Sequence, residues 1–175
     1  MLLPSIDVGL MNEHLAAHKG ILHKLKKYYA EVGDPYLKQM IYAQIIIMES
    51  HVVIMLNLLE PNNNQWLQVV PLQEVLQQVN VSQINPKKME SDKLIALEVH
   101  STSKFLANDN FLSGLMMKND NVKQVHFDMA YQQASFEKMY GDYLEKMGWS
   151  LIPKVTVEEQ LKVINHYKGM FYKWS

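Results

Sequence analysis

The stretch 34–60, DPYLKQMIYAQIIIMESHVVIMLNLLE, limits what this chain can fold into more than any other. Asp34 is a favoured N-cap residue, and Pro35 suits the first helical position, where a missing N–H forfeits no intrahelical bond. Pro61 ends the run. Between them Ile41, Ile45, Met48, Val52, Met55 and Leu59 recur at spacings of four and three, the signature of one helical face. Tyr42, Ile46, Val53 and Leu56 widen that face, and Ile47, Ile54 and Leu58 lie on another side. A helix apolar nearly all round is buried nearly all round. The run is long enough to span a bilayer, but Gln44, Glu49, Ser50, His51 and Asn57 interrupt it, so it reads as a core helix and not as a membrane span.

The remaining chain arranges itself about this helix. A first helix is expected over 8–31, with Leu10, His14, His18, Ile21, Leu25 and Tyr28 on its apolar stripe and lysines flanking it. Residues 1–7 read as a tail limited by Pro4. Gly33-Asp34-Pro35 is a stop–start signal, Gly for the C-cap and Asp for the next N-cap, so the first two helices form a tight antiparallel hairpin. Residues 61–90 are a long link that holds a short amphipathic segment after Pro71. A third helix is expected over 91–117, with a kink or break at Ala107-Asn108-Asp109-Asn110, and a fourth over 122–147, stopped by Gly148. The tail, 149–175, contains a capping box, Thr156 to Glu159, that opens a short helix, and an aromatic run from Tyr167 to Trp174. No segment alternates as a strand does. The order is hairpin, long link, hairpin. It predicts an all-α fold: a ferritin-like four-helix bundle with a long crossover between helices 2 and 3 and a short C-terminal helix, in one domain over 1–175.

Composition removes several classes of function. A net charge of −1, from 17 basic and 18 acidic residues, offers no electrostatic footprint for nucleic acid. With no cysteine there is no disulfide, thiolate metal site or cysteine nucleophile. The opening residues MLLPSIDVGLMNE lack a basic n-region and a small-residue cleavage site, so they are not read as a signal peptide. Neither G-x-S-x-G nor a phosphate-cradling glycine loop occurs, and no catalytic residue or organic cofactor site is assigned. The all-round apolarity of the second helix asks for extra cover, from the link or from the partner of a homodimer.

The candidate chemistry is a metal site. The usual di-metal pattern of ferritin-like bundles needs Glu-x-x-His, which is missing: Glu49-Ser50-His51 and Glu98-Val99-His100 have a spacing of two, which points the two side chains about 200° apart. His14 and His18, at i and i+4 on an apolar stripe, have the right spacing for two nitrogens on one ion. Glu49 has Ile45, Ile46, Val52 and Val53 as helical neighbours and is expected to face inward, as is Glu98. His51 is expected to face elsewhere, and Glu137 to lie within about a turn of the His18 and Glu49 level. Three readings stand side by side: a buried His–Glu pair that only fixes helix register, a divalent metal site (iron, manganese or zinc) held by His14, His18, Glu49 and Glu137, and acid–base catalysis by the same His–Glu pair.

Val122-Lys123-Gln124-Val125-His126 at the start of the fourth helix, Tyr140-Gly-Asp-Tyr-Leu-Glu-Lys-Met-Gly-Trp149 at its end, and Pro153 beyond resemble the spore coat protein F family of spore-forming Firmicutes. The first half is similar to longer ferritin-like relatives of that family. The resemblance implies a ferritin-like helical fold, a structural role with other coat proteins as partners, and a place in the spore coat. It implies no enzymatic activity. Without it the expected location is the cytoplasm.

Overall fold

The computed structural model describes residues 2–172. Among these, every regular element is helical: α1 (Ser5–Glu31), α2 (Pro35–Leu59), α3 (Leu72–Gln78), α4 (Lys93–Met116), α5 (Asp120–Lys146) and α6 (Val157–Phe171), with two 3-10 turns between α3 and α4. Four long helices share one interior. Their directions follow from the side chains that meet across it. His14 of α1 meets Ser113 of α4, and Lys24 meets Glu98, so α1 and α4 run antiparallel. Gln44 of α2 meets Tyr140, and His51 meets Gln132, so α2 and α5 also run antiparallel. The helices α2 and α4 therefore point the same way, and 60–92 must carry the chain back along the molecule. It does so beside α5 and α2. Leu67 exchanges hydrogen bonds with Asn121 at one end, Val70 accepts from Gln132 midway, Val75 enters the core, and Lys87 N–H reaches Asp34 at the other end.

Two buried carboxylates tie the hairpins together. Asp7, near the start of α1, accepts the backbone N–H groups of Lys118 and Asn119, in the turn between α4 and α5, both at 2.8 Å. Asp92, just before α4, accepts those of Gly33 and Asp34, in the turn between α1 and α2, at 3.2 and 2.7 Å. The capping residues of α2 and α5, Asp34 and Asn119, are equivalent too. Each later residue follows its counterpart by 85 positions (92 − 7 and 119 − 34). The two hairpins thus clasp one another reciprocally, each supplying an aspartate to the other's turn. Asp34 does more than cap. Its Oδ1 accepts from Tyr36 and Leu37 N–H, and its Oδ2 accepts from Lys87 N–H and the Tyr143 hydroxyl.

Several boundaries differ from the sequence expectation, each for a physical reason. Residues 5–7 are helical and not a tail, because the Pro4 carbonyl accepts from Asp7 and Val8 and starts α1 directly. The α4 helix runs unbroken through 107–110. Asn110 turns inward and bonds back to the Leu106 carbonyl at 2.8 Å, so packing against α1 and α5 overrides the weak helix propensity of Asn and Asp. Gly148 ends α5 at a φ of +70°, and Trp149 N–H returns to the Leu144 carbonyl while its ring packs on Tyr143. The Thr156–Glu159 capping box is formed, yet every residue of α6 is exposed. Tyr167 and Phe171 stack on each other in the open, and Trp174 lies outside the described residues. By length and composition alone α2 could cross a membrane, but its inward side packs into the shared core.

Because Asp34 is buried and holds four partners, Asp34→Ala is expected to lower the unfolding free energy by about 3 kcal/mol, combining a lost cap with a stranded Tyr143 hydroxyl. Urea unfolding at pH 7 measures it. A loss under about 0.5 kcal/mol, the scale of an ordinary surface change, would remove Asp34 from this structural role.

Candidate metal centre

Two polar layers cross the interior, and they differ in one decisive respect. In the first, Gln44 donates to Ser103 Oγ and Gln133 Oε1 and accepts from the Tyr140 hydroxyl, while Ser103 donates to the Val99 carbonyl. The second layer lies between the two apolar clusters, one built around Met48, Leu106 and Phe136 and the other around Met11, Met55 and Met129. It consists of His14 and His18 from α1, His51 from α2, His126 from α5, and Asn110 and Ser113 from α4. All six are buried. The ring centroids of His14 and His126 are 5.0 Å apart, those of His18 and His51 5.7 Å, and those of His14 and His18 6.4 Å.

Each ring has one nitrogen held by an acceptor. His18 Nδ1–H donates to the His14 carbonyl at 2.7 Å, and His126 Nδ1–H to the Val122 carbonyl at 2.8 Å. His51 Nε2–H donates to Gln132 Oε1 at 2.7 Å, and Gln132 is itself oriented by its amide bond to the Val70 carbonyl, so the crossover sets this ring. His14 Nε2 lies 2.9 Å from Ser113 Oγ and 3.5 Å from Asp109 Oδ2, and we assign the proton to that nitrogen because it faces the carboxylate. The four remaining nitrogens, His14 Nδ1, His18 Nε2, His51 Nδ1 and His126 Nε2, are buried without a partner, as is Asn110 Oδ1. Among the described residues, all the buried side-chain polar atoms that lack a partner fall in this one layer. Leaving such a group unmet costs about 1–3 kcal/mol each.

Burial is the main reason these imidazoles resist protonation. It pushes His51 down to about 3 and His18 and His126 to about 4, and it lowers His14 as well, partly opposed by Asp109 and by the neighbouring Asn110 side chain. Neighbouring rings reinforce the effect, since a proton on one would repel the next. At neutral pH the layer therefore presents four uncharged imidazoles, each with a bare lone pair. One ring nitrogen held by a carbonyl, amide oxygen or carboxylate and the other left bare is the arrangement that orients a histidine ligand toward a metal. Around a tetrahedral ion with N–metal distances of about 2.0–2.1 Å, ring centroids would stand roughly 5 Å apart; the His14–His126 pair already stands at 5.0 Å, while the His18–His51 and His14–His18 pairs, at 5.7 and 6.4 Å, would have to draw closer. The side chains do not converge on a common point: among the described residues no group of three or more His, Asp or Glu stands in a metal-holding arrangement.

Of the four residues expected from sequence, the structure brings together two. His14 and His18 enter the layer. Glu49 does not: it faces outward, half exposed, and pairs with Lys26 Nζ at 2.7 Å. Its apolar neighbours misled, because Ile46 and Val53 belong with Tyr42 and Leu56 to the outer side of α2. Glu98 also faces outward, to Lys24. Glu137 pairs with His100 at 3.0 Å on the α4–α5 side and does not approach the layer. His51, expected to point elsewhere, is fully buried in it. The signal was present: His51 follows Met48 by three and precedes Met55 by four, on the same stripe.

The lowered imidazoles fix the sign of a pH effect. The unfolded chain takes up protons near pH 6.5, while the folded chain refuses them down to about 4 at His18 and His126 and about 3 at His51. Metal-free protein is therefore expected to lose stability as pH falls from about 6.5 toward 4, with uptake of about three protons on unfolding near pH 5. Urea midpoints across that range, compared with the His18→Phe/His51→Phe/His126→Phe variant, test this. A flat profile in the parent would contradict it.

Comparison with protein-family models, with curated proteins and with solved structures finds no match, so the reading of this layer rests on its own chemistry.

Proposed function

We propose that this chain is a metal-binding protein that holds one borderline divalent ion, zinc or iron(II) in class, between the imidazoles of His14, His18, His51 and His126. The observation that carries the reading is the set of four buried lone pairs facing one interior layer with no hydrogen to accept. A nitrogen-only donor set favours zinc, iron, nickel or copper over magnesium, calcium or manganese, which prefer oxygen. Asn110 Oδ1 is the one oxygen among the unpartnered buried atoms of this layer. The protein's part is to hold the rings neutral and orient them. Two antiparallel hairpins joined by an end-to-end crossover support assigning the fold to the ferritin-like four-helix bundles, with the carboxylates of their usual di-metal site replaced by histidine.

Metal analysis of protein purified without added metal, followed by chelation and zinc titration, tests the proposal. About one equivalent should bind and raise the thermal midpoint. His18→Ala or His51→Ala should weaken binding by ten-fold or more, and Glu49→Ala should leave it unchanged. Because His18 and His126 take up no proton until about pH 4 and His51 until about pH 3, and His14 is lowered too, affinity should fall less from pH 7 to 5 than at an ordinary histidine site. No stoichiometric ion and no zinc-dependent shift would sink the proposal.

A second reading, a spore coat component that works by assembly, is favoured by α6, whose Val157, Leu161, Ile164 and Phe171 stand uncovered on one side. Recovery of the protein from extracted spore coats, with late mother-cell expression, supports this reading. Vegetative expression alone counts against it.

A further inference from the structure

The α4 helix is apolar on two opposite sides. Ala96, Val99, Ser103 and Leu106 face the interior. On the other side Leu94, Leu97, Phe105, Leu112 and Leu115 form a stripe running the length of the helix. Their exposures are 77, 37, 59, 49 and 56%. Such a stripe is not the general condition of this surface. The outward side of α5 carries Gln124, Asp128, Ser135, Lys138 and Asp142, with Tyr131 its one exposed large apolar residue. The outer side of α2 has apolar residues too, but Glu49, paired with Lys26, interrupts it.

We infer that α4 is the contact through which two copies of this chain pair, antiparallel and about a two-fold axis passing between residues 104 and 105. The argument is one of self-complementarity, which a two-fold contact requires because the same patch must serve both partners. Measured from that midpoint, Leu94 and Leu115 are equally far, as are Leu97 and Leu112, and the two small polar residues of the stripe, Ser101 and Asn108. In an antiparallel pair leucine therefore meets leucine at four positions, Ser101 meets Asn108, and Phe105, level with Lys104 of the other copy, lies half a residue from the axis, so that the two Phe105 rings come together beside it. The five apolar residues expose roughly 500 Å² per copy, and the residues flanking them bring the contact toward the roughly 800 Å² per partner of a standard interface. This contact is independent of the histidine layer, which lies on the far side of α4.

The full-length chain should sediment as a dimer at micromolar concentration. Phe105→Glu should weaken dimerisation at least ten-fold while leaving the helical circular dichroism intact, since the side chain is exposed. The chain has no cysteine, so register can be read directly. Phe105→Cys should cross-link to itself with a short bis-maleimide. Leu94→Cys should not, because its copies would stand about 31 Å apart along the helix axis. A mixture of Leu94→Cys and Leu115→Cys chains should give the mixed dimer. A monomeric parent overturns the inference. So does a dimer that survives Phe105→Glu but is lost on Leu161→Asp/Ile164→Asp, which would move the contact to α6.

Discussion

The reciprocal clasp of Asp7 and Asp92 is the constraint on which the rest of the structure depends. Each carboxylate takes two backbone N–H groups from the turn of the opposite hairpin, and each is buried. Charge-assisted bonds of this kind are short and directional, so they fix the level at which one hairpin meets the other. The histidine layer inherits its position from that level. His14 lies two turns beyond Asp7 on α1, and His126 lies seven residues beyond Asn119, whose N–H Asp7 holds. One carboxylate therefore sets both ends of the closest ring pair. A register slip of one turn would move the rings by about 5.4 Å and separate them.

The two polar layers use this common frame in opposite ways. The Gln44 layer closes on itself, with donors and acceptors matched among Gln44, Ser103, Gln133 and Tyr140. Such a network specifies register without leaving any group wanting. The histidine layer is closed on the outside and open on the inside. Carbonyls, Gln132, Ser113 and Asp109 hold the outer nitrogens, and nothing holds the inner ones. Replacing these histidines with apolar residues of similar size would remove the unmet groups, so stability alone gives no reason for four of them. The ion we propose, which needs bare nitrogen lone pairs, would supply one. The crossover belongs to this arrangement, because Val70 sets Gln132, which sets His51.

The helices were legible in the sequence and the phase of the most apolar one was not. Capping and stop signals at Gly33-Asp34-Pro35, Gly148 and Thr156–Glu159 located helix ends within a few residues, because caps are local chemistry. His14, His18 and His126 could be placed on inner stripes because α1 and α5 have a polar side to contrast with. On α2 that contrast is missing, so Glu49 and His51 were exchanged: apolar neighbours surround both, and only cross-helix partners, Lys26 for one and Gln132 for the other, separate them. Asp7 was hidden in an expected tail, since its partners are 111 and 112 residues away. The spacing of 85 that relates the hairpins is carried by capping residues and not by repeated sequence, which is why only the order of elements betrayed it.

The central claim is that four neutral imidazoles point bare nitrogens into one layer for an ion to use. Long-range ¹H–¹⁵N correlation of the imidazole rings at pH 7 reads this directly. Metal-free protein should show His18 and His126 protonated at Nδ1 and His14 and His51 protonated at Nε2, with no imidazolium among them. One equivalent of zinc should then shift the bare nitrogens, Nε2 of the first pair and Nδ1 of the second, and leave the protonated ones in place. Bare nitrogens that do not respond to zinc, or rings protonated on the inward side, would contradict the account.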